Sequence, residues 1–326
     1  MLKCAKLCAA GILLGCAIVA LAPAAFAQQQ TSTVAQSNTQ PEPTVSLAAS
    51  DAPDLPDAPG PPGGGSAADL AKKLQNPIAS LISVPFQNNL DYGGGPSGHG
   101  SQYLLNIQPV IPFALGTDWN LIVRTIIPVT QINYVQPQNV GGLGDIVQSF
   151  FLAPSHPVYG LIVGAGPVFS YPTGTDDRIS ANQFAAGPTV VVLKQAGGWT
   201  FGALANHLWG FGAIGHNGYG GDTVVGLDGF TTVTPRGRSD RVDSTYVQPF
   251  VSYTFATRTT LSVSAESSYN WTASTWTVPV IAGASQLLKI GSQPISIGLS
   301  GKYSAAQPAG APDWGVRLTL TLLFPK

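Results

Sequence analysis

Chemistry needs partners at fixed spacing, and this chain keeps its reactive side chains apart. His99, His156, His207 and His216 stand singly, and no His-Glu-x-x-His helix gathers two of them on one face, so no metal ligand set is expected. Gly93-Gly94-Gly95-Pro96-Ser97-Gly98 lacks the lysine and following hydroxyl that hold phosphate and magnesium, and reads as a flexible loop. Gly164-Ala165-Gly166 lacks a third glycine and opens no helix, so it reads as glycine packing in a strand. Asn206-His207 is the best pair for a hydrolase. Hydrolysis also needs a serine or activated water within reach and a third group to orient the base, and no local motif supplies them. His207, close to Trp209, therefore reads as an interfacial residue. The expectation is a chain with no catalytic residue, no metal and no cofactor, and not an enzyme.

Charge is more informative. Arg124, Glu266, Lys302 and Arg317 each fall on the polar face of an alternating segment. Two readings stand side by side: a charged lumen constriction that filters solutes, or internal ion pairs that fill and rigidify a low-dielectric interior. A second group, Arg236, Arg238, Asp240 and Arg241, lies in the glycine-rich stretch 212–243, which reads as an extracellular loop.

The elements that must position these residues follow from composition. Only 10% of the 326 residues are charged, against about 25% in an average soluble domain, while 38 are glycine and the one methionine is the first residue. The formal net charge is -1 with no long run of either sign, which sets nucleic acid aside as a partner. Lys3 and Lys6, an apolar run from Leu7 to Ala25 and the small residues Ala25 and Ala27 predict a secretory signal peptide over 1–27. All three cysteines, Cys4, Cys8 and Cys16, fall within it, so the exported chain is expected to carry no thiol chemistry. Residues 28–66, rich in Gln, Ser, Thr, Pro and Gly, read as a disordered periplasmic tether. A short helix over 67–76 follows, capped by Ser66, with Leu70 and Leu74 on one face. It reads as a short solvated turn leading into the first strand, with a periplasmic plug as the sharper alternative.

Beyond Pro77 the hydrophobic period is two. Leu261, Val263, Ala265, Tyr269 and Trp271 alternate with Ser262, Ser264, Glu266, Ser268 and Asn270. Val316, Leu318, Leu320, Leu322 and Phe324 likewise alternate with Arg317, Thr319 and Thr321. No other apolar stretch reaches the roughly 20 residues of a transmembrane helix, so a membrane-spanning form of this chain must be a closed barrel. The fold class predicted is all-β: a transmembrane antiparallel up-and-down β-barrel over 77–326 with about 12 strands, short periplasmic turns and long outer loops. The polar faces carry mainly Ser, Thr, Asn and Gln, which suits a hydrated lumen better than a bulk-exposed surface. Oily faces should then touch lipid and polar faces look inward. Pro85, Pro109, Pro128, Pro167, Pro188, Pro249 and Pro279 interrupt the segments, and each is expected at a bulge or a strand end.

With these residues laid out, the chain resembles the outer-membrane β-barrel family labelled meta-pathway phenol degradation proteins, whose members often carry a transporter label. The resemblance covers about 68–326. It rests on Asn76-Pro77, Ser83-Val84-Pro85-Phe86-Gln87-Asn88-Asn89, Gln108-Pro109-Val110-Ile111-Pro112-Phe113 and Asp118-Trp119-Asn120-Leu121. It continues through Gly142-Leu143-Gly144-Asp145-Ile146, Ala203-Leu204-Ala205-Asn206-His207, Gln248-Pro249-Phe250, Gln286-Leu287-Leu288-Lys289 and Asp313-Trp314-Gly315 to Phe324-Pro325-Lys326. The resemblance implies a bacterial outer-membrane channel or transporter, its partners being membrane lipid and a small, aromatic or hydrophobic solute. It offers no catalytic residues to carry over. The alternatives are a structural or surface-interaction barrel with a closed lumen and, less favoured, an outer-membrane hydrolase.

Overall fold

The structure, a computed structural model, describes residues 67–134, 139–213, 222–225, 231–234 and 241–325. The expected signal peptide and tether, with Cys4, Cys8, Cys16 and Ser66, lie outside the described residues, as do His216, Arg236, Arg238 and Asp240.

Alternating apolar and polar residues build a closed antiparallel barrel of twelve strands. The first six are β1 (Ile82–Gly94), β2 (Gly100–Ile107 and Val110–Leu115), β3 (Trp119–Ile132), β4 (Val140–Leu143 and Ile146–Pro154), β5 (Ile162–Tyr171) and β6 (Gln183–Ala196). They continue as β7 (Trp199–Ala213), β8 (Asp243–Thr254), β9 (Thr259–Ala265 and Ser267–Asn270), β10 (Thr275–Thr277 and Pro279–Ile290), β11 (Gln293–Ser304) and β12 (Trp314–Phe324). A small hairpin, Asp222–Val225 with Thr231–Thr234, belongs to the β7–β8 connection. β12 pairs back onto β1 from Ile82↔Phe324 to Tyr92↔Trp314, and this closure removes the free edges that hydrocarbon could not hydrogen-bond. No described helix is long and apolar enough to cross a membrane; a closed barrel crosses with its strands.

The outer wall is apolar and stays uncovered. Phe113, Trp199 and Leu299 are half or more exposed, with Val190, Val192, Phe201, Leu261, Val263 and Ile297 around the same surface. Aromatic pairs sit near both rims: Trp199 with Tyr253 at 4.9 Å by one set of short turns, and Tyr92 with Trp314 at 4.8 Å by the longer loops. An apolar band between aromatic girdles is what a lipid-facing wall requires.

The interior departs from the expectation of a uniformly polar lumen. Asn89, Asp91, Gln102, Asn106, Glu266, Lys302 and Arg317 are buried, as expected for the inward side of β1, β2, β9, β11 and β12. From β3 to β8, however, Ile122, Ile126, Val147, Phe151, Val168, Val191, Leu193, Leu204, Leu208 and Tyr246 form one packed cluster inside the wall. The run Val190-Val191-Val192-Leu193 shows why: it is apolar at every position, so both of its faces are oily. The barrel is thus greasy outside all round and two-sided within.

The prolines follow the expectation only in part. Pro279 opens a strand segment and Pro109 sits in the break of β2. Pro128 faces a one-residue bulge in β4, whose register against β3 shifts between Val129↔Leu143 and Ile126↔Val147. The remaining prolines lie within strands whose register runs on. Pro167 faces Pro188 across the β5–β6 ladder, so two residues that lack an N–H share one gap in the hydrogen bonding. Elsewhere their carbonyls stay engaged: Gln108 N–H donates to the Pro85 oxygen at 2.9 Å and Thr125 N–H to the Pro109 oxygen at 3.0 Å.

One face of the helix α1 (Ala67–Lys73) and of the turn after it is covered by the barrel, while Asp69 and Lys73 stay exposed. Ala71, Ala79 and Leu81 are buried against Leu287 and Leu323 of the barrel wall, and Ile78 joins the apolar cluster of the interior. Gln195 on β6 donates its side-chain amide to the Lys72 carbonyl at 3.0 Å. Residues 67–81 therefore pack into the short-turn mouth of the barrel. This is why β1 begins at Ile82 and not directly after Pro77.

Candidate functional site

Of the four charged residues on polar faces, Glu266 and Arg317 meet directly. Arg317 donates from Nη1 and Nη2 to the two carboxylate oxygens of Glu266 at 2.7 and 2.8 Å, and from Nε to Asn89 Oδ1 at 2.6 Å. Both charged side chains are only 6% exposed. β9 and β12 are separated around the wall by β10 and β11. At ~4.8 Å between neighbouring strands the pair bridges roughly 14 Å of sheet. It can do so only by reaching through the interior, and it forms a strut inside the lumen.

Lys302 has a partner that sequence reasoning missed. Its Nζ lies 2.5 Å from Asp91 Oδ1, both side chains being buried. Asp91 on β1 and Lys302 on β11 are each paired with Gly315 on β12, which lies between them. A Cβ at Gly315 would run into Asp91 Oδ1, so glycine is what lets the two charges meet above the middle strand. The signal for Asp91 was available in the alternation Gln87, Asn89, Asp91 at every second position of β1.

Arg124 lies near enough to the first pair for its charge to act on Glu266. Its Nη2 donates to Gln108 Oε1 at 2.9 Å, and Gln108 Nε2 donates in turn to Gln87 Oε1 at 2.9 Å. Arg124, Glu266 and Arg317 line a cavity of ≈ 290 Å³, together with Lys73 of the mouth segment and the apolar Val110 and Phe250. Serines and threonines such as Ser264, Ser296 and Thr321 complete its polar side.

At the opposite rim, the bulge in β4 turns Asp145 inward. Its carboxylate accepts from Ser180 Oγ at 2.6 Å, Ala181 N–H at 2.7 Å and Gly174 N–H at 3.0 Å, which ties down loop 172–182. Ile179 of that loop is buried against Ile132 and Val140, with Tyr134 packed beside them. Burial pushes the Tyr134 phenol above its ordinary value, with the Asp91 charge acting in the same direction. In the same loop a hydrogen bond from Arg178 holds the Asp176 carboxyl below its usual range.

The remaining sequence candidates are dispersed. Asn206 and His207 point to opposite faces: Asn206 is buried inside, while His207 lies on the outer wall with its ring 4.1 Å from that of Trp209. Neighbours in a strand cannot form one catalytic pair. His207 instead contacts Thr245 Oγ1 at 2.7 Å and Asp243 at 3.1 Å. Arg241, the described member of the loop group, is exposed, and its carbonyl accepts from Thr272 Oγ1 at 2.8 Å. Among the described residues no three His, Cys, Asp or Glu side chains gather as a metal set.

A closed twelve-stranded barrel with an apolar, aromatic-rimmed exterior and charges held inside defines a β-barrel protein of the bacterial outer membrane. Its shape is similar to that of an outer-membrane channel from Pseudomonas putida F1, with a TM-score of 0.54, 14% identity, and 75% of this chain and 94% of that chain covered. An outer-membrane phospholipase A from Escherichia coli superimposes less well, with a TM-score of 0.39 at 10% identity over 76% of this chain and 99% of that one. At such identities the likeness is one of fold, and only the first is close enough to bear on it. No protein-family model and no curated protein sequence matches the chain, so the phenol-degradation resemblance rests on its motifs.

Proposed function

We propose that the chain is an outer-membrane channel or transporter for small molecules, with aromatic or hydrophobic compounds as its solute class. The observation that carries this reading is the two-sided interior: a charged and hydroxyl-lined wall faces an apolar one, with a cavity of ≈ 290 Å³ reached by groups of both kinds. A solute with an aromatic body and a polar end could exchange contacts with both walls without leaving a polar group unpaired. The reading requires no catalytic step.

One observation favours the alternative, a barrel with a closed lumen. Residues 67–81 occupy the short-turn mouth, and the Glu266–Arg317 strut crosses the interior. Liposome swelling separates the two. A channel admits arabinose, and removal of residues 67–77 raises the rate. A barrel that excludes arabinose both with and without that segment is structural, and the transport reading then fails.

A further inference from the structure

We propose that the lumen cavity selects small organic anions with an apolar body, and that Arg124 is the residue that selects them. The inference rests on the channel reading and names its solute more narrowly. The charged side chains lining the cavity are Lys73, Arg124, Arg317 and Glu266. Three cations thus face one carboxylate, and both oxygens of that carboxylate already accept from Arg317. A cation entering the cavity would meet an acceptor whose charge is matched at 2.7 Å. An anion would meet an excess of positive charge.

Arg124 is oriented for this task. The Gln87–Gln108 amide chain fixes which end of Gln108 faces the guanidinium, so one arm of the fork is held at 2.9 Å and the plane of the group is set. A planar guanidinium matches carboxylate or sulfonate oxygens pairwise, and rings of arginine are a known device for anion passage. Val110 and Phe250 line the same cavity and offer an apolar surface for the rest of the solute. The volume of ≈ 290 Å³ is at the small end of ligand pockets, about 300–1,000 Å³, which suits a single ring rather than a fused system.

The test uses the full chain in liposomes with three membrane-impermeant probes: benzenesulfonate, benzyltrimethylammonium and arabinose. Arabinose should enter, and benzenesulfonate should enter about tenfold faster than benzyltrimethylammonium. Arg124→Gln should bring that ratio close to one and Arg124→Lys should restore part of it, each variant first being shown folded by heat-dependent gel mobility. Arabinose entry with equal anion and cation rates in the parent chain would overturn the inference while leaving the channel intact, as would a ratio unchanged by Arg124→Gln. If no probe enters, the channel reading falls, and calorimetric titration of benzenesulfonate into the detergent-folded chain then decides the site. Binding that is lost in Arg124→Gln supports the anion site, and absence of binding to the parent chain overturns it.

Discussion

Replacing Arg317 with methionine tests the strut inside the lumen. The change keeps a long side chain but removes three charge-assisted hydrogen bonds, two to Glu266 and one to Asn89. Such bonds are each worth about 1.5–3 kcal/mol, but their sum overstates the effect because the guanidinium was itself desolvated. What dominates is the residue left behind: Glu266, 6% exposed on its side chain, becomes a buried carboxylate without its main partner. Breaking a buried pair from one side costs about 3–5 kcal/mol. At about 2 °C per kcal/mol for a chain of this size, the midpoint of thermal unfolding should drop by ~6–10 °C. Removing both charges is different in kind. Glu266→Met combined with Arg317→Met leaves no buried ion and should return to within about 1 kcal/mol of the parent, the remainder being the Asn89 oxygen left without its donor. Glu266→Met alone carries the same one-sided cost of about 3–5 kcal/mol, so the double-mutant cycle would then show a coupling of roughly 5–9 kcal/mol. Unfolding by guanidinium in detergent, followed by tryptophan fluorescence, measures all four forms. A double variant as unstable as the sum of its singles would refute the strut, because it would mean that the two side chains act through their separate surroundings.

Other substitutions probe different parts of the structure. Gly315→Ala should cost on the order of 3 kcal/mol by forcing Asp91 and Lys302 apart; unfolding midpoints equal to the parent would show that the pair does not need that gap. Asn206 Nδ2 is buried without a hydrogen-bond partner among the described residues, so Asn206→Leu should stabilise the barrel by about 1–2 kcal/mol in the same assay. A Cβ at Gly187 would enter the space of the His207 carbonyl oxygen on the neighbouring strand, and Gly187→Ala should therefore reduce the folded, heat-modifiable fraction on gels. His207→Phe should leave any ester hydrolysis by the purified protein unchanged, since Asn206 lies on the other face of the wall; a fall in hydrolysis would make the outer-wall histidine a catalyst.

The alternation in the primary sequence settled the architecture. Leu261 to Trp271 and Val316 to Phe324 can satisfy both lipid and lumen only as strands, and a chain with no helix-length apolar segment beyond Ala25 must close those strands into a ring to span a membrane. Local periodicity reports local geometry, so the number of strands and the outward face of β9, β11 and β12 were legible from it. It could not report what lies opposite. Val190 to Leu193 gives no hint of which valines meet Phe151 and Leu204 inside, because an unbroken apolar run has no phase. The Asp91–Lys302 and Glu266–Arg317 pairs join residues 211 and 51 positions apart in the chain. Their partnership depends on which strands closure brings together and on the missing Cβ of Gly315, neither of which has a local signature. The same holds for α1: two leucines at helical spacing fit a solvated turn as well as a plug, and only the barrel mouth formed by Leu287 and Leu323 gives that face somewhere to be buried.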